Sequence, residues 1–136
     1  MKGVAMREQM VLRMLDGSVK KCTTFSHFSA AHSKVKVVTT GGLVESVDLD
    51  DVKAIFFVRD LQGDPGYVPK KEFHEGSPLA GRAVTVRFPD GELLRGRVIN
   101  LAEQNRGFFL FPADPLENNR KVFVIRRPET VVELEP

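Results

Sequence analysis

Residues 84–98 read VTVRFPDGELLRGRV, and this stretch carries the signals that predict the fold of the chain. Apolar side chains alternate with polar ones over residues 84–88, which is the period of a strand with one buried face. Asp90-Gly91 follows, and this dipeptide favours a tight turn between antiparallel strands. The stretch is therefore predicted to be a β-hairpin. Its second strand contains Gly96, which indicates a sharp bend where a side chain would clash.

A second copy of this pattern lies earlier in the chain. Asp16-Gly17 precedes Asp90-Gly91 by 74 positions (16 to 90). At this offset, apolar residues of the two copies coincide: Met10 with Val84, Leu12 with Val86, Met14 with Phe88, Val35 with Phe109 and Val37 with Phe111. Val52 and Ile55 are matched to Val131 and Leu134, at an offset of 79 (52 to 131). The change from 74 to 79 places five extra residues in the segment 113–119, which is rich in Pro, Asp and Asn.

Ten strands are predicted, five in each copy. The first copy has strands at 10–15, 18–25, 35–38, 44–47 and 53–58, and the second has strands at 82–88, 92–100, 107–111, 121–125 and 131–134. A 3₁₀ turn is placed before the last strand of each copy, at 48–51 and 127–129. Five short twisted strands can close into a small barrel without exposed edges. The predicted fold is all-β, with two tandem five-stranded barrels.

The two barrels are expected to occupy residues 8–59 and 82–136, joined by a connector at 60–81. The connector is rich in Gly and Pro, which predicts irregular structure. Tyr67 and Phe73 are expected to dock it onto a barrel. A unit of about 55 residues has a marginal core, so the two copies are expected to pack together as a pseudo-dimer.

The second copy resembles the small barrels of the Sm (LSm) family, which share many features with SH3-like barrels. The resemblance lies in the alternating positions of 84–88, the Asp90-Gly91 turn, Gly96 on the second strand, and the closing segment 122–134. It implies a five-stranded barrel and, as in Sm proteins, RNA binding. The first copy has Lys20, Cys22 and Thr24 where the second has Leu94, Gly96 and Val98. Both copies lack the Gly that the family places beside Asp or Asn near the fourth strand, and with it the signature of its RNA pocket and ring.

Over nearly its full length, the chain also resembles an uncharacterised bacterial domain family that occurs alone or attached to signalling proteins. The segments that carry this resemblance are VKAIFFV at 52–58 and FFLFPADP at 108–115. The resemblance implies a bacterial regulatory context and no known activity.

The composition is that of an ordinary globular protein with nearly balanced charge. Lys and Arg number 20 against 18 Asp and Glu, so the charge balance alone does not predict a nucleic-acid partner. The single cysteine, Cys22, cannot form an internal disulfide, which fits a reducing compartment. Residues 1–10 do not resemble a signal peptide, and no stretch approaches the roughly 20 apolar residues of a membrane helix. A cytoplasmic location without membrane association is expected.

No cluster of residues predicts catalysis, a metal site or a cofactor. His27 and His32 lack a third Cys or His ligand nearby, and His74 stands alone. Cys22 is expected to be a small buried residue on a strand. The acidic run 48–51 lacks the ligand spacing of a calcium loop and is expected to form a capped turn. The chain is therefore predicted not to be an enzyme.

Basic side chains are the candidates for a binding site. Arg95 and Arg97 lie two apart on one predicted strand and so share a face, and guanidinium groups bind phosphate oxygens bidentately. The predicted phosphate or nucleic-acid site consists of Arg95, Arg97, Arg106, Arg126, Arg127 and Lys21. The alternative interpretation is a solvated polar face, since Glu92, Glu103, Glu129 and Glu133 are interleaved with these residues.

Three functions remain open. The near-neutral charge and the missing Sm signature favour a non-enzymatic regulatory module that binds a partner protein, as a monomer or homodimer. Its contact surfaces are expected at the loops 26–34 and 112–119 and at exposed strand edges. The first alternative is RNA or other nucleic-acid binding by the arginines. The second is sensing of a cyclic dinucleotide, because residues 96–101 with Gly107 faintly resemble a signature of PilZ domains, which bind cyclic di-GMP.

Overall fold

The structure, a computed structural model, describes residues 8–25, 33–63, 66–67, 81–99, 106–114 and 116–135. All ten predicted strands are present, and their boundaries lie within two residues of the predicted positions. In chain order they are β1 (Gln9–Met14), β2 (Val19–Thr24), β3 (Lys34–Thr39), β4 (Val44–Asp48), β5 (Val52–Val58), β6 (Arg82–Arg87), β7 (Leu93–Val98), β8 (Gly107–Pro112), β9 (Asn119–Ile125) and β10 (Val131–Leu134). One 3₁₀ helix, Leu49–Asp51, precedes β5.

The ten strands form one open antiparallel sheet in the order β10-β6-β7-β8-β9-β5-β1-β2-β3-β4. Read across the sheet from β10 to β4, each half begins with its fifth strand, and its first four strands follow in chain order. The halves meet where β5 pairs with β9. As the fourth strands of their halves, β4 and β9 occupy the same place in the strand order. The two edges of the sheet are β4 and β10. The all-β class is confirmed. Two separately closed barrels are not confirmed, because hydrogen bonding runs across the boundary between the halves.

The strand pairing corrects part of the predicted correspondence between the halves. Leu12 pairs with Ile55 and Val86 pairs with Val132, so Ile55 corresponds to Val132 and not to Leu134. The offset is therefore 77 (55 to 132) and not 79. The prediction was wrong because the lengths of the intervening loops cannot be apportioned from apolar spacing alone.

The third strands of the halves need a similar correction. Val35 and Phe108 are both buried and pair with Val47 and Val124, so Val35 corresponds to Phe108 and not to Phe109. By the same shift, Val37 corresponds to Leu110 and not to Phe111, since both are buried on the same face as these partners. The predicted match was one residue out of register, so it assigned Phe109 and Phe111 to the face of β8 that Phe108 and Leu110 occupy.

Two apolar cores lie on opposite faces of the β5–β9 ribbon. Successive side chains of a strand point to opposite faces. Phe57 and Phe123 therefore belong to the core of the first half, whereas their neighbours Phe56 and Val122 belong to the core of the second. Every residue of 54–58 is buried, which explains why this segment is continuously apolar instead of alternating. Each half thus supplies one strand face to the core of the other.

The clash predicted for a side chain at Gly96 is present where β7 passes β8. A Cβ atom at Gly96 would lie 2.2 Å from the carbonyl oxygen of Phe111, a distance that no side chain tolerates. The glycine is therefore required by the close approach of two backbones, as the sequence predicts.

The two predicted turns before the last strands differ. At 48–51 the 3₁₀ helix is confirmed, and the side chain of Asp48 accepts a hydrogen bond from the amide of Asp50 at 2.9 Å. At 127–129 there is a single turn, closed by a 3.1 Å hydrogen bond from the amide of Thr130 to the carbonyl of Arg127, without a 3₁₀ helix.

The start of the connector is fastened to the second half. The hydroxyl of Tyr67 donates a 2.5 Å hydrogen bond to the buried carboxylate of Asp114, and this bond raises the pKa of Tyr67 to about 12. The loop 112–119 therefore contacts another part of this chain. Phe73 and most of the predicted connector, like residues 26–32 of the other predicted contact loop, lie outside the described residues.

Replacing Gly96 by Ala is expected to lower the free energy of unfolding by about 1–3 kcal/mol, because the two strands must separate to admit the methyl group. Gly41→Ala is the matched control, since the nearest atom to a Cβ there is Thr39 Oγ1 at 3.9 Å. Urea unfolding followed by circular dichroism measures both variants. Equal midpoints for the two variants would show that the close approach carries no cost.

Candidate functional site

The six basic residues predicted as a site fall in three separate regions of the structure. Arg95 and Arg97 lie on the outer face of β7, and Lys21 lies on the outer face of β2. Arg106, Arg126 and Arg127 flank β8 and β9 beside the 3₁₀ helix of the first half. The strand order separates these regions, so the structure brings together only subsets of the six.

Arg95 is paired within the chain. Its Nε and Nη2 atoms donate hydrogen bonds of 2.7 and 2.6 Å to the carboxylate of Glu135, and this contact lowers the pKa of Glu135. Arg97 donates through Nη1 to the carbonyl of Gly81 at 3.2 Å. The bidentate face of Arg95, which a phosphate would need, is therefore occupied by a carboxylate.

Arg127 ties the second half to the first. Its Nη2 atom lies 3.1, 2.9 and 2.7 Å from the carbonyl oxygens of Leu49, Asp50 and Val52, in the 3₁₀ helix and at the first residue of β5. Arg106 also contacts Asp50, at 3.5 Å. These contacts satisfy carbonyl groups at the end of the 3₁₀ helix, so they hold the fold together at this point.

The other candidates from the sequence have simpler outcomes. Cys22 is buried in the first core as predicted, and burial raises the pKa of its thiol to about 11. His27, His32 and His74 lie outside the described residues. Among the residues that are described, no three carboxylate, imidazole or thiol side chains come together as a metal site would require.

A groove of about 450 Å³ lies on the outer face of the first half, beside the junction with the second. Its base is formed by the outward side chains of β1 and β2 together with Phe56 and Val58 of β5. The turn at Asp90 and Glu92 and the loop at Asn118 and Asn119 wall it from the side of the second half.

An ionic network lines one end of this groove. Nζ of Lys53 lies 2.6 Å from Oδ2 of Asp90 and 2.5 Å from Oε1 of Glu92, and the Lys53 side chain is 12% exposed. Arg13 contacts the other oxygen of Glu92 at 3.1 Å and lies 4.4 Å above the ring of Phe56. The network joins β1 and β5 of the first half to the Asp90-Gly91 turn of the second. The network cannot be predicted from the sequence, because nothing in the residue spacing shows which strand the Asp90-Gly91 turn meets.

The outer edge of β4 pairs with no strand in the described part of the chain. The amide of Leu49 donates to the carbonyl of Ser33, and the amide of Thr39 donates to the carbonyl of Leu43. The backbone amide and carbonyl groups of the odd-numbered residues of β4 therefore point towards β3. Alternation then directs the amides of Val44 and Ser46 away from the sheet. Leu43 and Val44 are 67% and 53% exposed at the end of this edge.

Lysines cover the outer face beside this edge. Lys34 and Lys36 are exposed on β3, where Lys36 stands opposite Ser46. Neither lysine forms an ion pair with any residue of the described part of the chain. The edge therefore combines open hydrogen-bonding groups with two exposed lysines, of which Lys34 stands directly opposite Asp48 and Lys36 lies 5.9 Å from the centre of the Phe25 ring.

The ionic network at the groove has a testable effect on protonation. The hydrogen bond from Lys53 lowers the pKa of Asp90, aided by one from the amide of Glu92. The stabilisation from Asp90 is therefore present above the ordinary aspartate pKa of about 3.9 and is lost as the pH falls through the lowered value.

In a Lys53→Met variant, the pKa of Asp90 is expected to rise towards the ordinary value, with the Glu92 amide still holding it slightly below. Carboxyl ¹³C NMR across a pH titration measures this change. Asp16 is the internal control, because its lowered pKa depends on hydrogen bonds from Ser18. An unchanged Asp90 in this variant would contradict the assigned role of Lys53.

No helix in the described part of the chain is long and apolar enough to cross a membrane. Neither the curated proteins nor the solved structures contain a match to the chain. Residues 6–134 match a family of unknown function, DUF6982. The predicted resemblance to an uncharacterised domain family is thus confirmed, and the resemblance to Sm barrels is not. The chain belongs to the DUF6982 family.

Proposed function

We propose that the chain is a non-catalytic module that binds a partner protein by accepting an acidic, extended segment of that partner as an additional strand on β4. The observation that carries this proposal is the place of β4 in the sheet. It corresponds to β9, whose outer edge is occupied by β5 through five paired residues from Ala54 to Val58. The β5–β9 ribbon is therefore an internal example of the same strand addition.

The edge of β4 has what strand addition requires. An unpaired edge offers a row of amide and carbonyl groups, and an extended peptide can complete the ladder. Ser46 occupies the place that Phe123 has in β9, and Phe123 pairs with Ile55 across the ribbon. The direction of pairing is antiparallel, as it is between β5 and β9.

A second copy of the chain does not fit this edge well. In β9 the residues Phe123 and Ile125 enter a core shared between the halves. The corresponding residues of β4 are Ser46 and Asp48, which cannot contribute to a shared apolar core. If β10 of another copy occupied the place that β5 holds, Glu133 would stand opposite Glu45. Like charges directly opposite each other are destabilising, so the occupant is expected to be a different protein.

Charge indicates the chemistry of that protein. A side chain of the added strand opposite Ser46 would share the outer face with Lys36, and the small serine leaves space between them. Neighbouring strands are about 4.8 Å apart, so a lysine one strand inside the edge can reach a carboxylate on the added strand. Alternate Asp or Glu residues in the partner segment would then pair with Lys34 and Lys36.

Two other proposals receive less support. Nucleic-acid binding by Arg95, Arg97, Arg106, Arg126 and Arg127 stays a prediction, weakened by the carboxylate and carbonyl contacts that Arg95, Arg97, Arg106 and Arg127 make within the chain. Cyclic dinucleotide sensing has no additional support. The shared strand order of the halves supports the proposal that each is a small barrel of the Sm or SH3 type.

Selection from a phage-displayed library of random dodecamers is expected to enrich peptides with acidic residues at alternate positions. Binding should be lost in Ser46→Pro, which removes an outward amide without breaking the β3–β4 ladder. Leu134→Pro is the matched control, because it removes an outward amide from the other edge. Titration of the selected peptides by amide NMR measures both variants.

In the same titration, Lys34→Glu with Lys36→Glu should weaken binding about tenfold or more, since each lysine contributes a charge-assisted contact. Peptides that bind equally well to Ser46→Pro, or a selection with no acidic enrichment, would remove β4 as the docking edge. Loss of binding in Leu134→Pro alone would move the site to β10.

A further inference from the structure

We infer that the groove beside the junction is a binding site for a small organic anion with an apolar body. This inference does not rest on the proposed function, because the groove lies on β1, β2 and β5 and not on the β4 edge. Its volume of about 450 Å³ falls within the range of about 300–1,000 Å³ that is usual for small-molecule sites.

The charge of the groove favours an anion. Its lining contains three cationic side chains, Arg13, Lys21 and Lys53, and two carboxylates, Asp90 and Glu92. Lys53 contacts both carboxylates, and Arg13 contacts the second oxygen of Glu92. The carboxylates are therefore already neutralised within the network, and the remaining positive charge resides on Lys21.

Lys21 is positioned to bind a ligand. It stands directly opposite Val11, and Val19 stands opposite Arg13, so Lys21 and Arg13 are diagonal neighbours on one face. Diagonal positions place Cβ atoms about 7–8 Å apart, which two long side chains can span around one carboxylate or phosphate group. Lys21 is exposed and forms no ion pair with any residue that the structure describes.

Arg13 is held in place for this role. Glu92 fixes its Nη1 atom, and the ring of Phe56 lies 4.4 Å beneath its guanidinium group. A cation fixed in this way loses little conformational freedom when an anion binds, which favours affinity. The remaining guanidinium nitrogens offer further donors to an incoming anion.

The other part of the groove suits an apolar body. Val11, Val58 and Leu61 line it, and the amide side chains of Gln62 and Asn119 stand at its margin. An aliphatic or aromatic group would cover this apolar wall while its acidic group reaches Lys21 and Arg13. Such amphipathic anions include short fatty acids and aryl phosphates, which share the required chemistry.

Fluorescence titration of the full chain with 8-anilinonaphthalene-1-sulfonate tests the site. Saturable binding of one probe per chain is expected, and Lys21→Glu should weaken it about tenfold or more. Lys34→Glu is the control, because it reverses an exposed lysine on the same face outside the groove. Circular dichroism and urea midpoints that match the native chain establish that both variants are folded.

Competition then identifies the acidic group. Displacement of the probe by hexanoate assigns a carboxylate ligand, and displacement by phenyl phosphate assigns a phosphate ligand. Probe binding that does not saturate, or that is equally strong in Lys21→Glu, would overturn the inference. Because Lys21 does not lie on β3 or β4, failure here leaves the proposed peptide binding at the β4 edge untested, and the two proposals fail separately.

Discussion

Hydrogen bonding between β5 and β9 is the interaction on which the rest of the structure depends. It joins two five-stranded halves into one sheet and places an apolar core on each side of the ribbon. The side chains of both strands are divided between these cores, so neither half has a complete interior without the other. The tie from Arg127 to the turn before β5 and the network around Lys53 lie at the borders of this ribbon and reinforce it.

The sequence predicts the individual strands well because alternation is a local property. The hairpin at Asp90-Gly91 and the capped turn at Asp48 each depend on a few neighbouring residues. Pairing between the halves depends on contacts across about 70 residues, and no local pattern contains that information. The apolar segment 54–58 was the available sign, since a strand without alternation is buried on both faces.

The same distinction explains the candidate sites. The sequence places Arg95 and Arg97, two residues apart on β7, on one face. It does not show that Arg95 binds Glu135, which lies 40 residues further along the chain. Lys53 and Asp90 meet only because the turn of the second half lies on the first. Most arginines of the predicted site make contacts within the chain, whereas Lys21 and Lys34 form no ion pair with any residue that the structure describes.

The shared cores also bear on how the chain folds during synthesis. Domains of larger proteins generally fold from the N-terminus as the chain emerges, at about 5–20 residues per second. Here the core around Met10 and Leu12 is completed by Phe123 and Ile125, which are made more than 100 residues later in the chain. The first half therefore keeps an exposed apolar face until β9 has emerged from the ribosome. A chaperone or the ribosome surface has a longer time to act on this protein than on a chain of equal length built from independent units.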